Sequence, residues 1–543
     1  MTYIDPKGPK TAVLDTAHIG DINGALGTIR LGDTGRRNTI RARFMTFLAI
    51  LGPGLIVMVG DNDAGAFATY TQAGQNYGTS LLWTLLLLVP VLYVNQEMVL
   101  RLGAVTGVGH ARLILARFGK FWGAFSVIDL FILNGLTIVT EFIGISLALD
   151  YLGVSKVAGV AIAAVLTMVA ASTGNFRRFE RFALMLCLGS LLLVPIVLAV
   201  HVPVGQIAHD LVVPGLPTGK LSDILLLVIG IVGTTVAPWQ LFFQQSYVID
   251  KRITPSFMGY EKADLWLGIL VVMIGAVAMM VFCAATFGGQ PEAGQFTDAG
   301  GVAEGLGKYV SPTMGVLFAI ALIDASIIGA SAVSLATAYA IGDVLSLKHS
   351  LHRKATDAKG FYLVYAGLIG LSAVIVLIPG SPLGLITLAV QTLAGVLLPS
   401  ATVFLLLLCN DAQVLGPWVN GKWLNAFTSL VIAALIMMSI VLTASVLYPE
   451  ITGGQILWIL GGGSVLFVIG TGITLMIGGG EGVAADRPEY GLRRAWRMPP
   501  LDTLQPARMS LSKGVWMAVL RGYLVLAVGM VVVRIVQLAL APA

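Results

Sequence analysis

The chain has 543 residues, 57% of them hydrophobic and only 11% charged, a balance that excludes a water-soluble fold of this length. Its formal charge of +5 is the balance of 33 basic against 28 acidic residues, and the basic ones are scattered in short clusters between apolar runs, which read as topology signals and argue against a nucleic-acid partner. The three cysteines, Cys187, Cys283 and Cys409, each lie inside an apolar run, which excludes a disulfide framework and a CxxC metal site.

Residues 1–43 are polar and Gly-rich and lack the apolar stretch of a cleaved signal, so a flexible cytosolic N-terminal tail is expected there. A spanning helix needs about 20 apolar residues. Thirteen runs are candidates: 44–75, 79–102, 122–149, 157–173, 182–202, 221–249, 264–288, 312–346, 360–379, 383–409, 424–448, 456–478 and 515–540. The expected fold class is an all-α, multi-pass integral membrane protein. Basic residues concentrate in alternate connections: Arg36, Arg37, Arg41 and Arg43 precede the first run, and Arg177, Arg178 and Arg181 follow the fourth. The opposite connections hold only Lys156, Lys220 and Lys308. This asymmetry places the N-terminus in the cytoplasm, with the plasma (inner) membrane as the expected location. In the last run Arg521 and Arg534 either snorkel or mark an interfacial segment. Trp83, Trp122, Trp266 and Trp423 fall near run ends, as interfacial anchors do.

The first and sixth runs are longer than a bilayer requires, and each is interrupted. The first contains Gly60-Asp61-Asn62-Asp63-Ala64-Gly65, and the sixth Gly233-Thr234-Thr235-Val236-Ala237-Pro238-Trp239. Runs five apart enter the membrane in opposite directions, so two inverted copies, each led by a broken helix, are expected. Residues 44–202 would carry the first copy, 221–409 the second, and 424–543 additional C-terminal helices with a basic cytosolic connection at 480–514.

Asp61 and Asp63 lie deep in hydrocarbon, where a carboxylate costs at least about 2.5 kcal/mol. An unwound segment also exposes backbone carbonyls, and carboxylate with carbonyl oxygen is the donor set that hard cations prefer. No basic residue falls near either break, so the cargo is read as positive. The bland readings stay open: Asp61 lines a vestibule, Asp63 is a helix N-cap, and Asn62 stabilises the turn without lending its oxygen. The acids Asp129, Glu141 and Asp324 are read as packing or gating residues. Neither a nucleophile with a paired base nor an HExxH occurs, which argues against an enzyme, and no cofactor is expected.

The segment LGPGLIVMVGDNDAGAFATYTQAGQNYGTSLLW, the Ala-Pro-Trp step of the sixth run and the five-plus-five layout resemble the Nramp superfamily of divalent metal transporters. Within it the chain looks most like the Nramp-related magnesium transporters. The resemblance spans about residues 44–448 and implies a leucine-transporter-type 5+5 inverted repeat with broken helices 1 and 6. The family's DPGN metal motif falls on Asp63-Ala64-Gly65-Ala66, and its Met-Pro-His on Ala237-Pro238-Trp239. The resemblance further implies backbone oxygens from Gly60 and Thr234 and a side-chain contribution from Gln391, which otherwise serves as interhelical glue.

Replacing the thioether by the methyl of Ala237 removes the soft ligand that selects transition metals. The expected activity is therefore uptake of Mg2+, and also Mn2+, as a partly hydrated ion. Two of the family's proton-relay positions are Trp239 and Ile138 here, so obligatory proton coupling is not expected. The alternatives are a proton-coupled Mn2+/Fe2+ symporter and, more distantly, an organic-solute or amino-acid carrier. The expected partners are a divalent ion and the lipid bilayer, with one chain acting alone.

Overall fold

The computed structural model describes residues 16–33, 35–380, 383–448, 451–477 and 496–504, with a few single positions between 507 and 522. Among them, 10 helices are long and apolar enough to cross a bilayer. The only sheet among the described residues is a hairpin, β1 (Ile22–Gly24) and β2 (Gly27–Ile29), antiparallel with Ile22 opposite Ile29.

The first repeat opens with a helix in three pieces: α1 (Ile40–Ile50), α2 (Pro53–Val59) and α3 (Ala64–Tyr77). α4 (Leu82–Thr106), the short connecting α5 (His110–Phe118), α6 (Lys120–Tyr151) and α7 (Lys156–Ala171) follow. The fifth span is α8 (Phe176–Cys187) and α9 (Leu193–Ala199), joined by a 3-10 turn over Leu188–Leu192. Pro195 has no N–H for the Leu191 carbonyl, which accounts for the tightened turn just before it. After α10 (Val204–Val212), the second repeat opens with the broken pair α11 (Leu221–Thr235) and α12 (Pro238–Asp250). It continues through α13 (Met258–Phe287), the connecting α14 (Ala299–Tyr309), α15 (Pro312–Leu345), α16 (Lys359–Val376) and α17 (Leu383–Cys409). Beyond the short α18 (Ala412–Leu415) lie α19 (Lys422–Leu447) and α20 (Gly453–Ile477).

Helices meet through small residues, as they must where lipid supplies no hydrophobic drive. A Cβ on Gly268 of α13 would lie 2.6 Å from the Gly54 carbonyl oxygen of α2, so these backbones nearly touch. Gly233 of α11 faces Gly395 of α17 in the same way.

Three expectations need correction. The segment 1–43 is not flexible throughout: the hairpin and a 3-10 turn at Thr16–His18 are ordered, and α1 begins at Ile40. Backbone groups of this segment bond to distant residues, with Ala25 N donating to Glu180 Oε2 at 2.5 Å. The first run has a second break at Leu51-Gly52, where α1 and α2 bend by 52°. Gly52 has φ +152 and is followed by Pro53, and a Cβ there would fall on the Glu180 carboxylate. Trp122 is not an interfacial anchor: it is 5% exposed and packs on Phe404 and Phe125, whereas Trp423 is 89% exposed. The run 515–540, with Arg521 and Arg534, and most of the connection 480–514 lie outside the described residues.

Candidate functional site

Both breaks stay open because the residues around them divert the donors that would close the helix. In a continuous helix the N–H groups of Ala64, Gly65 and Ala66 would bond to the carbonyls of Gly60, Asp61 and Asn62. Instead Ala64 N donates to Glu141 Oε2 of α6 at 3.1 Å, and Ala66 N donates to Asp63 Oδ1 at 2.9 Å. The Gly65 N–H also turns to the Asp63 carboxylate. The carbonyls of Gly60, Asp61 and Asn62 are thereby left without their helical donors. At the second break Pro238 has no N–H for the Thr234 carbonyl, and Val236 leaves the helix with φ −131 and ψ 73.

The side chains fall into two groups. Asp63 caps α3 and lies against Glu141, within hydrogen-bond reach, over the bare backbone of Gly329 in α15. The Gln391 side chain of α17 packs where a Cβ of Gly65 would be, which brings it beside Asp63. Asp61 turns the other way, and its Oδ1 accepts from Gln240 Nε2 of α12. Gln240 in turn accepts from Gln96 Nε2 of α4 at 2.7 Å. Asn62 donates to the Val272 carbonyl of α13 at 3.1 Å, so its amide nitrogen does stabilise the turn. Its Oδ1 has no protein partner. Thr235, next to Thr234, bonds to Tyr70 of α3 at 2.7 Å and ties the two breaks together.

Every sequence-derived site residue is buried: Asp61 1%, Asn62 3%, Asp63 3%, Thr234 2%, Ala237 5% and Gln391 3% exposed, with Gly60 buried as well. The site is thus closed to both membrane faces in this conformation. Asp61 Oδ2, Asn62 Oδ1, Thr234 Oγ1, Glu141 Oε1 and Gln391 Nε2 are buried without a protein hydrogen-bond partner. Such a concentration of unsatisfied atoms is expensive unless water or an ion serves them. Among the described residues no three His, Cys, Asp or Glu side chains converge as a metal cluster, so any ion here relies on carbonyl and amide oxygens beside the carboxylates. The N-cap reading of Asp63 therefore holds for one oxygen, and Asp61 lines no open vestibule in this conformation: it is 1% exposed and bonded to Gln240.

Glu141 and the Gln96–Gln240 pair were not among the expected site residues. The spacing of Glu141 from Asp63 gives no hint that it receives the Ala64 N–H. Three fully buried amides in one half-helix, Gln240, Gln244 and Gln245, are a signal that was legible. Because Glu141 holds the break open as an acceptor, Glu141→Gln is expected to keep thermal stability within about 1 kcal/mol of the parent. Glu141→Leu, which strands the Ala64 N–H, should lose about 1–3 kcal/mol, read by thermal unfolding in detergent.

Two five-helix repeats, each led by a broken helix, with the two polar breaks brought together, form the architecture in which membrane transporters place their substrate site. Residues 54–445 match the family described as natural resistance-associated macrophage protein-like, and the chain belongs to this Nramp family. The divalent metal cation transporter MntH of Xylella fastidiosa (strain 9a5c) is 27% identical over 464 residues, covering 81% of this chain and 92% of that protein. MntH of Ralstonia nicotianae is 29% identical over 395 residues, covering 70% and 87%. The crystal structure of the Eremococcus coleocola manganese transporter with an aromatic bis-isothiourea compound superposes with a TM-score of 0.63 at 19% identity, over 84% of this chain and 97% of that one.

Proposed function

We propose that this protein carries divalent metal cations across the membrane by alternating access, with Mg2+ and Mn2+ as its cargo. The observation that carries this reading is the pair of carboxylates, Asp61 and Asp63, buried beside carbonyls stripped of their helical donors. The charge acting on Asp61 is the like charge of Asp63, so a cation between the breaks relieves both burial and repulsion. Asp63 is the principal ligand. Asp61, Asn62, Gln391 and the carbonyls of Gly60 and Thr234 are the further oxygen donors, and Ala237 leaves room for retained water. An oxygen-only donor set favours hard ions and gives no thioether preference for transition metals.

The basic connections argue for a cytosolic N-terminus in the plasma (inner) membrane, and all the proposed ligands come from one chain, so a monomer suffices. Uptake is then driven by the membrane potential, at about 2.3 kcal/mol per charge per 100 mV. A second reading is proton-coupled Mn2+ symport: manganese is the ion of the structurally similar Eremococcus coleocola transporter, and the contact of Asp63 with Glu141 offers a place for a proton. Proteoliposomes separate the two. Mg2+, Mn2+ and Ca2+ uptake is followed at matched concentration alongside internal pH. Saturable Mg2+ entry without internal acidification is expected, and acidification that tracks metal entry would establish the symport instead.

A further inference from the structure

The face of the molecule on which α2 begins and α12 ends carries a device that the transport site does not account for. α2 and α12 are the halves of the two broken helices that reach this face, so in the alternating-access reading an ion would leave between them. The α1–α2 elbow at the start of α2 is held by three charged side chains from three elements. Lys251, just past α12, donates to the Ile50 carbonyl at 2.5 Å and to the Leu51 carbonyl at 2.8 Å. It pairs with Glu180 of α8 at 2.6 Å, both side chains being 0% exposed. Asp264 of α13 accepts from the N–H groups of Gly52 at 3.1 Å, Gly54 at 2.7 Å and Leu55 at 3.3 Å.

The hairpin segment closes over this cluster. Ala25, in its turn, donates its N–H to the second oxygen of Glu180 at 2.5 Å, and the Ala25 carbonyl accepts from Arg181 Nε at 3.0 Å. The segment's other end is fastened by Arg252, which donates to the Ala17 carbonyl at 3.1 and 2.8 Å and to the Asp21 carbonyl at 3.0 Å. The same strands pack on Ala49 of α1: a Cβ on Gly27 would lie 2.9 Å from the Ala49 Cβ.

We propose that residues 16–31 are a strap that latches this gate, with the Ala25–Glu180 and Arg252 contacts as its two releasable ends. The strap bridges α1, α8 and the end of α12, so the elbow cannot leave α8 while both ends are fastened. A buried carboxylate that bonds Lys251 with one oxygen and the strap with the other couples the two movements, because breaking either bond leaves a charge underpaired. Release of the strap is therefore part of opening on this side. The proposal rests on the alternating-access reading but not on the identity of the ion.

Two substitutions unfasten one end each while respecting the local backbone. Ala25→Pro deletes the N–H at a turn position that accepts proline. Arg252→Gly removes the guanidinium at a residue with φ 67, where glycine is at home. Each is combined with Gln244→Cys, buried one helical turn beyond Gln240 on the same face, after Cys187, Cys283 and Cys409 are replaced by alanine. The labelling rate by a polar maleimide is measured on purified protein in detergent without metal, with Thr71→Cys on α3 as the reference position.

Each variant should speed labelling at position 244 about tenfold or more, as loss of a charge-assisted hydrogen bond implies, and leave position 71 unchanged. Unchanged rates at 244 in both variants would overturn the strap, and so would equal acceleration at 244 and 71, which signals general loosening. Because no metal is present, a failure of the ion reading leaves this comparison intact.

Discussion

Replacing Asp63 by asparagine is expected to lower saturable Mg2+ and Mn2+ uptake by at least about 30-fold while leaving the protein folded. Asp63 has two separable tasks. One oxygen caps α3 by accepting from Ala66 N at 2.9 Å, a contact worth about 1 kcal/mol that asparagine reproduces. The other task is the negative charge presented to the ion, which asparagine removes. Losing one member of a buried, desolvated charge contact costs about 2–5 kcal/mol, or 30-fold to several thousand-fold in affinity. Asp63→Ala should lose both tasks, with the same collapse of uptake and a lower unfolding temperature. If capping were the only role of Asp63, the asparagine variant would transport like the parent. Uptake and thermal unfolding measured on the same preparations decide between the two.

Ala237→Met is expected to shift selectivity toward softer ions. Ala237 is the N-cap of α12, 5% exposed, and presents only a methyl group to the break. A thioether there adds a soft donor that strengthens binding of Mn2+ and Cd2+ relative to Mg2+ and displaces water that Mg2+ retains. The Mg2+ to Mn2+ uptake ratio should fall about tenfold, corresponding to about 1.4 kcal/mol of differential binding. Added bulk alone costs about 1–3 kcal/mol in a packed site. Ala237→Leu, with similar volume and no sulfur, is therefore the control. An equal fall in the ratio for leucine would assign the effect to volume. No change for methionine would mean that preference for transition metals already comes from other groups, as the symport reading requires.

The parts of this architecture legible in the sequence are those where a residue violates its surroundings. Two aspartates inside an apolar run have no stable place in lipid, and Pro238 withdraws a helical N–H just after Gly233 and two threonines, so both breaks stand out without a structure. The elbow at Gly52-Pro53 carried a breaker of the same kind, but it was read as part of one long span because its neighbours are uniformly apolar. Glu141 could be located within a helix but not assigned its partner, since its hydrogen bond joins α6 to the start of α3 across 77 residues.

The hairpin is the clearest case of a signal that composition hides. Its glycines and polar residues match those of an unstructured tail, and what orders them are Glu180, Arg181 and Arg252, roughly 155–235 residues away. Local pattern identifies where a chain breaks or turns. Which distant charge meets it is settled by the packing of the helices.

The most direct test of the central claim is anomalous diffraction from crystals soaked in Mn2+. A single peak is expected between the two breaks, within about 2.5 Å of an Asp63 carboxylate oxygen, and it should be lost when Mg2+ is present in excess. Saturating Mn2+ with no peak between the breaks, or a peak that touches neither Asp61 nor Asp63, would contradict a cation site there.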